Sequence, residues 1–171
     1  DIAAGGEGAP LVCFPDSKWF RGKKAIIQNI GGISNATVIN ENCEVFGFDT
    51  GLGNIAIDYC MNKFYNLPYD KNGEVAASGK ISVSWLDTLL QDEYYIKEPP
   101  KSTGREYFSS TYIEHALKTA PQKTEDIIAT LTALTALTIC NAYEKFVYPV
   151  CNVEEIITIK SNTLFGLYLL S

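Results

Sequence analysis

The chain has 171 residues, 46% of them hydrophobic and 20% charged, which is globular composition with enough length for one domain and a sizeable core. A formal net charge of -6 and a pI near 4.8 argue against a nucleic-acid backbone or an anionic membrane surface as the main partner, because the net field repels both. The 5 cysteines form no C-x-x-C pair and there is 1 histidine, His115, which argues against a zinc site or disulfide framework and for reduced thiols in a cytoplasmic protein.

Residues 1–10 are small and glycine-rich. Alone they read either as a fraying end or as a backbone that passes close to a ligand. A short apolar segment, Leu11 to Phe14, leads into a polar loop reaching Lys24. Ala25 to Ile30 is an apolar run that breaks at Gly31-Gly32 and resumes as Ile33 to Ile39. After a turn at Asn40-Glu41-Asn42, a third run from Cys43 to Phe48 ends in Asp49-Thr50-Gly51-Leu52-Gly53-Asn54. β-Branched and aromatic residues between Gly, Asn and Asp predict strands joined by tight turns.

Asn54 is placed to cap a helix from Ile55 to Tyr65, with Ile57, Cys60, Met61 and Phe64 along one face. Strand, glycine turn and helix N-terminus together suit an anion. The competing reading gives Gly51 and Gly53 to a tight turn only, and the spacing leaves both open. Ser84 with Asp87 predicts a capped helix through Leu86, Leu89 and Leu90. Pro99-Pro100 precedes Lys101-Ser102-Thr103-Gly104-Arg105, where the lysine lacks the glycines ahead of it that a P-loop requires. A helix from Thr111 to about Lys118 carries His115 without an obvious partner. Thr124 is predicted to cap a long helix to about Phe146, its buried stripe formed by Ile127, Leu131, Leu134, Ala142 and Tyr143. Ile156 to Ile159 predicts a strand. No run reads as a membrane span.

Five stretches, in order, resemble one family. They are residues 1–11 (Asp-Ile-Ala-Ala-Gly-Gly-Glu-Gly-Ala-Pro-Leu), Asn29-Ile30-Gly31-Gly32-Ile33-Ser34-Asn35, the segment from Gly47 to Asn54, the segment from Tyr69 to Gly73, and the segment from Pro99 to Glu106. The family is the anhydro-N-acetylmuramic acid kinases of the actin-like, sugar-kinase and heat-shock ATPase superfamily. The resemblance implies an α/β fold: a ribonuclease-H-like, actin-like ATPase lobe with a mixed sheet flanked by helices, incomplete. Residues 1–24 would form a cleft or linking segment and residues 25–171 the lobe, truncated at both ends relative to the family.

The implied reaction opens 1,6-anhydro-N-acetylmuramic acid with water and moves the ATP γ-phosphoryl to O6, giving N-acetylmuramic acid 6-phosphate in cell-wall recycling. ATP and Mg²⁺ are the implied cofactors, and ATP and an amino sugar the small-molecule partners. Nucleic acid and membrane partners are not implied, and a homodimer is allowed. Asp1 stands in the place of the base that activates water. Asn29, Gly31, Gly32, Ser34 and Asn35 resemble the second phosphate loop. Asp49, Thr50, Gly51 and Asn54 resemble a further cleft element whose contacts, metal included, stay unassigned. Lys101, Ser102, Thr103, Gly104 and Arg105 carry an implied substrate role, with Arg105 suited to pair with a carboxylate or phosphate.

Departures from the family pattern set the alternatives. The first phosphate loop is missing, Leu52 replaces a usual proline, and Thr158 to Leu164 stands where the family has a Gly-Gly-Gly-Ala-x-Asn segment. A truncated or frameshifted product is therefore expected, and a non-catalytic fragment or pseudo-enzyme is the alternative function. Asp49-Thr50-Gly51 also permits an aspartic protease half, but the helix after Asn54 does not suit a β-rich protease.

Overall fold

The computed structural model of the chain describes residues 16, 18–40 and 45–160. Four strands form one mixed sheet in the order β3-β2-β1-β4, with β1 Ala25–Ile30, β2 Ile33–Ile39, β3 Val45–Leu52 and β4 Glu155–Lys160. The first three strands are antiparallel neighbours, whereas β4 returns beside β1 in parallel. Five helices fill the connection between β3 and β4: α1 Ile55–Tyr65, α2 Glu74–Ser78, α3 Val83–Leu90, α4 Ser110–Leu117 and α5 Thr124–Ala142. This is the α/β architecture expected, a mixed sheet flanked by helices as in an actin-like ATPase lobe.

Alternation along the strands divides the core. On one face Ile26, Ala36, Val38 and Phe48 pack against Ile139, Ala142, Tyr143 and Val147 at the end of α5. On the other, Ala25, Ile27, Ile39 and Ile157 cluster with Phe20. Because β1 is apolar on both faces and lies inside the sheet, its first four residues are all buried. A third cluster joins α1, α3, α4 and the first half of α5 through Met61, Trp85, Phe108, Ile128 and Leu134. Each such side chain removed from water contributes roughly 1.5–3 kcal/mol.

Several boundaries differ from expectation. The Asp-Thr-Gly segment is not a turn, since β3 runs on through Leu52. Neither Asn54 nor Ser84 caps by its side chain. Asn54 adopts αR backbone at the N-cap position of α1, and α3 starts earlier, with Ser82 at its N-cap. Thr124 is the first residue inside α5, not its cap, and its hydroxyl shares a 2.8 Å hydrogen bond with that of Tyr65. The small-residue stretch after Gly73 is the short helix α2. Gly79 at its end lies so close to α5 that a Cβ would stand 2.1 Å from the Glu125 carbonyl oxygen.

α5 passes into a π-helical turn at Tyr143–Val147. By length and composition, Thr124–Val147 could cross a membrane, contrary to the sequence expectation; 61% of its most apolar window is buried inside the protein, which makes it the central packing helix. Its threonines tolerate that position because Thr130 and Thr132 donate to carbonyls four residues back.

Candidate active site

The site is built where the β1–β2 hairpin meets the start of α1. Gly53 and Ile55 N–H both donate to the Gly32 carbonyl, at 3.0 and 3.1 Å, and Asn54 N–H donates to Gly31 at 2.8 Å. The hydroxyl of Thr135 on α5 donates to the Gly53 carbonyl at 3.0 Å. Gly53 is therefore held from both sides of its backbone, and a Cβ there would lie 2.2 Å from the Gly31 oxygen. Only glycine permits this approach.

This docking bears on the two readings of the glycine turn. Of the N–H groups expected to greet an anion at the start of α1, those of Asn54 and Ile55 are taken by the carbonyls of Gly31 and Gly32, whereas those of Ala56 and Ile57 meet no acceptor among the described residues. The hairpin itself is left with donors as well: among the described residues, neither Gly31 nor Gly32 N–H meets a protein acceptor. Unspent backbone donors thus lie both in the turn and in the first turn of α1.

Next to the turn, register places three polar residues in a row across the sheet. Asn29 pairs with Asn35, and Asn35 with Asp49. Paired side chains in an antiparallel ladder share a face at about 5 Å. A register shift between Ser34 and Asn35 leaves Thr50 as an extra residue of β3, so Gly51, not Thr50, lies opposite Ser34. Gly51 has φ +127°, and a Cβ there would meet the Tyr95 ring at 2.5 Å.

Ser34 and Thr50 lie on the opposite face from this row. The Ser34 hydroxyl accepts from Thr50 Oγ1 and from Gln28 Nε2, both at 2.8 Å, and Gln28 Oε1 accepts from the Tyr143 hydroxyl at 2.7 Å. Gln28, Ser34 and Thr50 are each 2% exposed or less. This network ties the hairpin to the end of α5 on the face opposite the Asn29–Asn35–Asp49 row.

Asp49 lies on the edge strand, and residues 101–103 run along it. Asp49 N–H donates to the Lys101 carbonyl at 3.2 Å, Thr103 N–H to Asp49 Oδ2 at 2.8 Å, and the Tyr94 hydroxyl to the Asp49 carbonyl at 2.9 Å. Asp49 is 5% exposed. The buried oxygens Asn35 Oδ1 and Thr103 Oγ1, flanking it, have no hydrogen-bond partner among the described residues. Thr103 and Ser102 also line a cavity of about 490 Å³ with Glu93, Tyr94, Lys97, Glu106 and Tyr107.

The remaining candidates are dispersed. The Lys101 ammonium is buried, 4.8 Å from the ring centroids of both Tyr94 and Phe146 and 5.9 Å from that of Phe48, and donates to the Tyr94 carbonyl at 3.2 Å. Burial first, then the positive charges of Lys145 and Lys97, brings its pKa down to about 8. The Gly104 carbonyl accepts from Tyr107 and Phe108 N–H, turning the chain back into the fold, while Arg105 is exposed. Asn54 Nδ2 makes only a long 3.5 Å approach to the Ile30 carbonyl. Asp1 lies outside the described residues. His115 is exposed, as expected of a residue without a catalytic partner.

Gln28, Tyr94 and Tyr143 are absent from the sequence-based candidates. Gln28 had a signal, as an amide inside a largely apolar strand that has one other, Asn29. Tyr94 and Tyr143 had none, because their partners are 45 and 115 residues away.

The family described as Anhydro-N-acetylmuramic acid kinase matches residues 1–153. Proteins named anhydro-N-acetylmuramic acid kinase are similar to 92% of this chain: one from Caldanaerobacter subterraneus subsp. tengcongensis at 40% identity, one from Clostridioides difficile at 43%, and one from Francisella tularensis subsp. novicida at 44%. The chain spans only 42–43% of the length of these relatives. With the matched region containing the glycine hairpin, the Asp49 edge and the Lys101–Thr103 segment, the chain belongs to the anhydro-N-acetylmuramic acid kinase family.

Proposed function

We propose that the chain is part of an ATP-dependent sugar kinase that opens 1,6-anhydro-N-acetylmuramic acid with water and phosphorylates its O6. The observation that carries this reading is the Gly31-Gly32 turn, whose carbonyls are committed to α1 and whose N–H groups are not, set beside the polar row of Asn29, Asn35 and Asp49. Two backbone donors at a glycine turn suit the equatorial oxygens of a transferring phosphoryl group.

The residues present also fit a hard cation. Asp49 supplies a carboxylate and Asn35 a buried oxygen without a donor, and Mg²⁺ takes oxygen ligands, commonly one or two carboxylates with water and phosphate. When bound, Mg²⁺ would neutralise charge developing on the phosphates. Asn35 and Asp49 would hold it, Gly31 and Gly32 would orient the phosphoryl group, and Asn29 would complete the polar row. Ser102 and Thr103, lining the cavity beside Asp49, would face the sugar, and Asp1 would accept the proton of the attacking water. Cys60, Cys140 and Cys151 form no disulfide among the described residues, in keeping with a cytoplasmic setting.

The test couples ADP release to the consumption of the anhydro sugar by the purified chain. Turnover that is abolished by Asp49→Asn supports the reading. Mg·ATP binding without turnover would assign the chain a binding role only, and absence of both would remove the proposal.

A further inference from the structure

Lys101 stands out among the buried ionisable groups because its charge is not explained by the fold. It is 1% exposed, and no carboxylate among the described residues forms an ion pair with it. A cation held by three rings and one carbonyl is partly compensated, but less well than in water. The downward displacement of its pKa to about 8 agrees: the folded state disfavours the charged form. An apolar side chain of similar length would fill the cage without that cost. The ammonium is therefore not what holds the fold together.

What the ammonium does hold is the surroundings of Asp49. Phe48 of the cage is the residue before Asp49 on β3. Tyr94 offers its ring and carbonyl to the ammonium and donates its hydroxyl to the Asp49 carbonyl. The backbone of Lys101 accepts the Asp49 N–H, and two residues on, Thr103 N–H meets the carboxylate. Every one of these contacts to Asp49 comes from a residue that Lys101 touches or that follows it by two.

We propose that Lys101 is a positioning residue for Asp49: its caged ammonium locks residues 101–103 along the edge of β3, so that the Thr103 N–H orients and stabilises the Asp49 carboxylate. Lys101 thus acts through Thr103 and Tyr94 and does not touch the substrate. The functional meaning rests on the site role proposed for Asp49, whereas the clamp itself is a property of the folded chain.

The test uses the isotopically labelled 171-residue chain and needs no turnover, so failure of the kinase reading leaves it intact. Lys101→Met should fold, move the Asp49 carboxyl carbon resonance at constant pH, and speed Thr103 amide exchange at least tenfold. Thr103→Pro, which removes the N–H and keeps the lysine, should give the same shift at Asp49. A merely structural lysine would lower thermal stability without selectively speeding Thr103 exchange.

Phe146→Leu, which removes one ring of the cage and keeps Lys101 and Thr103, should also speed Thr103 exchange. A folded Lys101→Met chain with Asp49 and Thr103 unchanged overturns the proposal. If that variant does not fold, Thr103 exchange unchanged in Phe146→Leu overturns it equally.

Discussion

Replacing Gly53 by alanine tests the docking on which the site is built. The added Cβ would lie 2.2 Å from the Gly31 oxygen, 3.1 Å from the Gly32 oxygen and 3.2 Å from the Gly31 carbonyl carbon. These neighbours are backbone, so no side chain can swing aside. The start of α1 must move away from the hairpin, and four hydrogen bonds converge there: Gly53, Asn54 and Ile55 to the turn carbonyls, and Thr135 to Gly53.

Losing two or three of them at about 1 kcal/mol each gives a destabilisation of roughly 2–3 kcal/mol. For a chain of this size that lowers Tm by roughly 5–10 °C. Gly32→Ala is the control, since its nearest neighbour would be Ile55 Cβ at an ordinary 3.7 Å. It should change stability by no more than about 1 kcal/mol. Thermal and urea unfolding followed by circular dichroism measure both. A Gly53→Ala chain whose Tm stays within about 2 °C of the parent, or one no less stable than Gly32→Ala, would refute the reasoning.

Two further substitutions probe the interior. Tyr143→Phe leaves Gln28 Oε1 buried without its 2.7 Å donor, and should destabilise by about 1–3 kcal/mol in urea unfolding; an unchanged midpoint would mean the network is not closed as described. Lys101→Met should reverse the usual expectation for removing a charge. The folded pKa of Lys101 is lowered to about 8 from 10.5, so between those values the unfolded chain binds more protons and stability rises with pH. Below about pH 8 the penalty is full, worth about 3 kcal/mol. At pH 7 the variant should therefore equal or exceed the parent in stability, with the gap narrowing by pH 9.5; a gap that widens with pH would contradict the burial argument.

Residues 25–39 and 55–65 show how much local pattern can specify. Apolar β-branched runs broken by Gly31-Gly32 can satisfy their backbone only as paired strands, and the helical spacing of Ile57, Cys60 and Met61 needs one buried face. Both elements appear at the expected bounds. The sequence also singled out Asn35, Asp49 and Thr103 through their resemblance to family motifs. What it could not reveal was which backbone groups are already spent. The helix start looks like an anion site by spacing, yet the N–H groups of Gly53, Asn54 and Ile55 bind carbonyls 21 to 23 residues earlier in the chain.

The face each residue adopts was equally hidden. Ser34 and Asn35 are adjacent, as are Asp49 and Thr50, but one member of each pair closes the core network while the other joins the polar row. A single extra residue in β3 sets that division, and bulges carry no reliable local signature. Lys101 is the extreme case. In sequence it is one polar residue in a polar loop, and only the packing of β3, the Tyr94 turn and the end of α5 makes it a buried cation. Local composition thus determined the elements and the family, because strand and helix formation depend on near neighbours. The tertiary structure alone decided which groups remain available for chemistry, because that depends on partners distant in the chain.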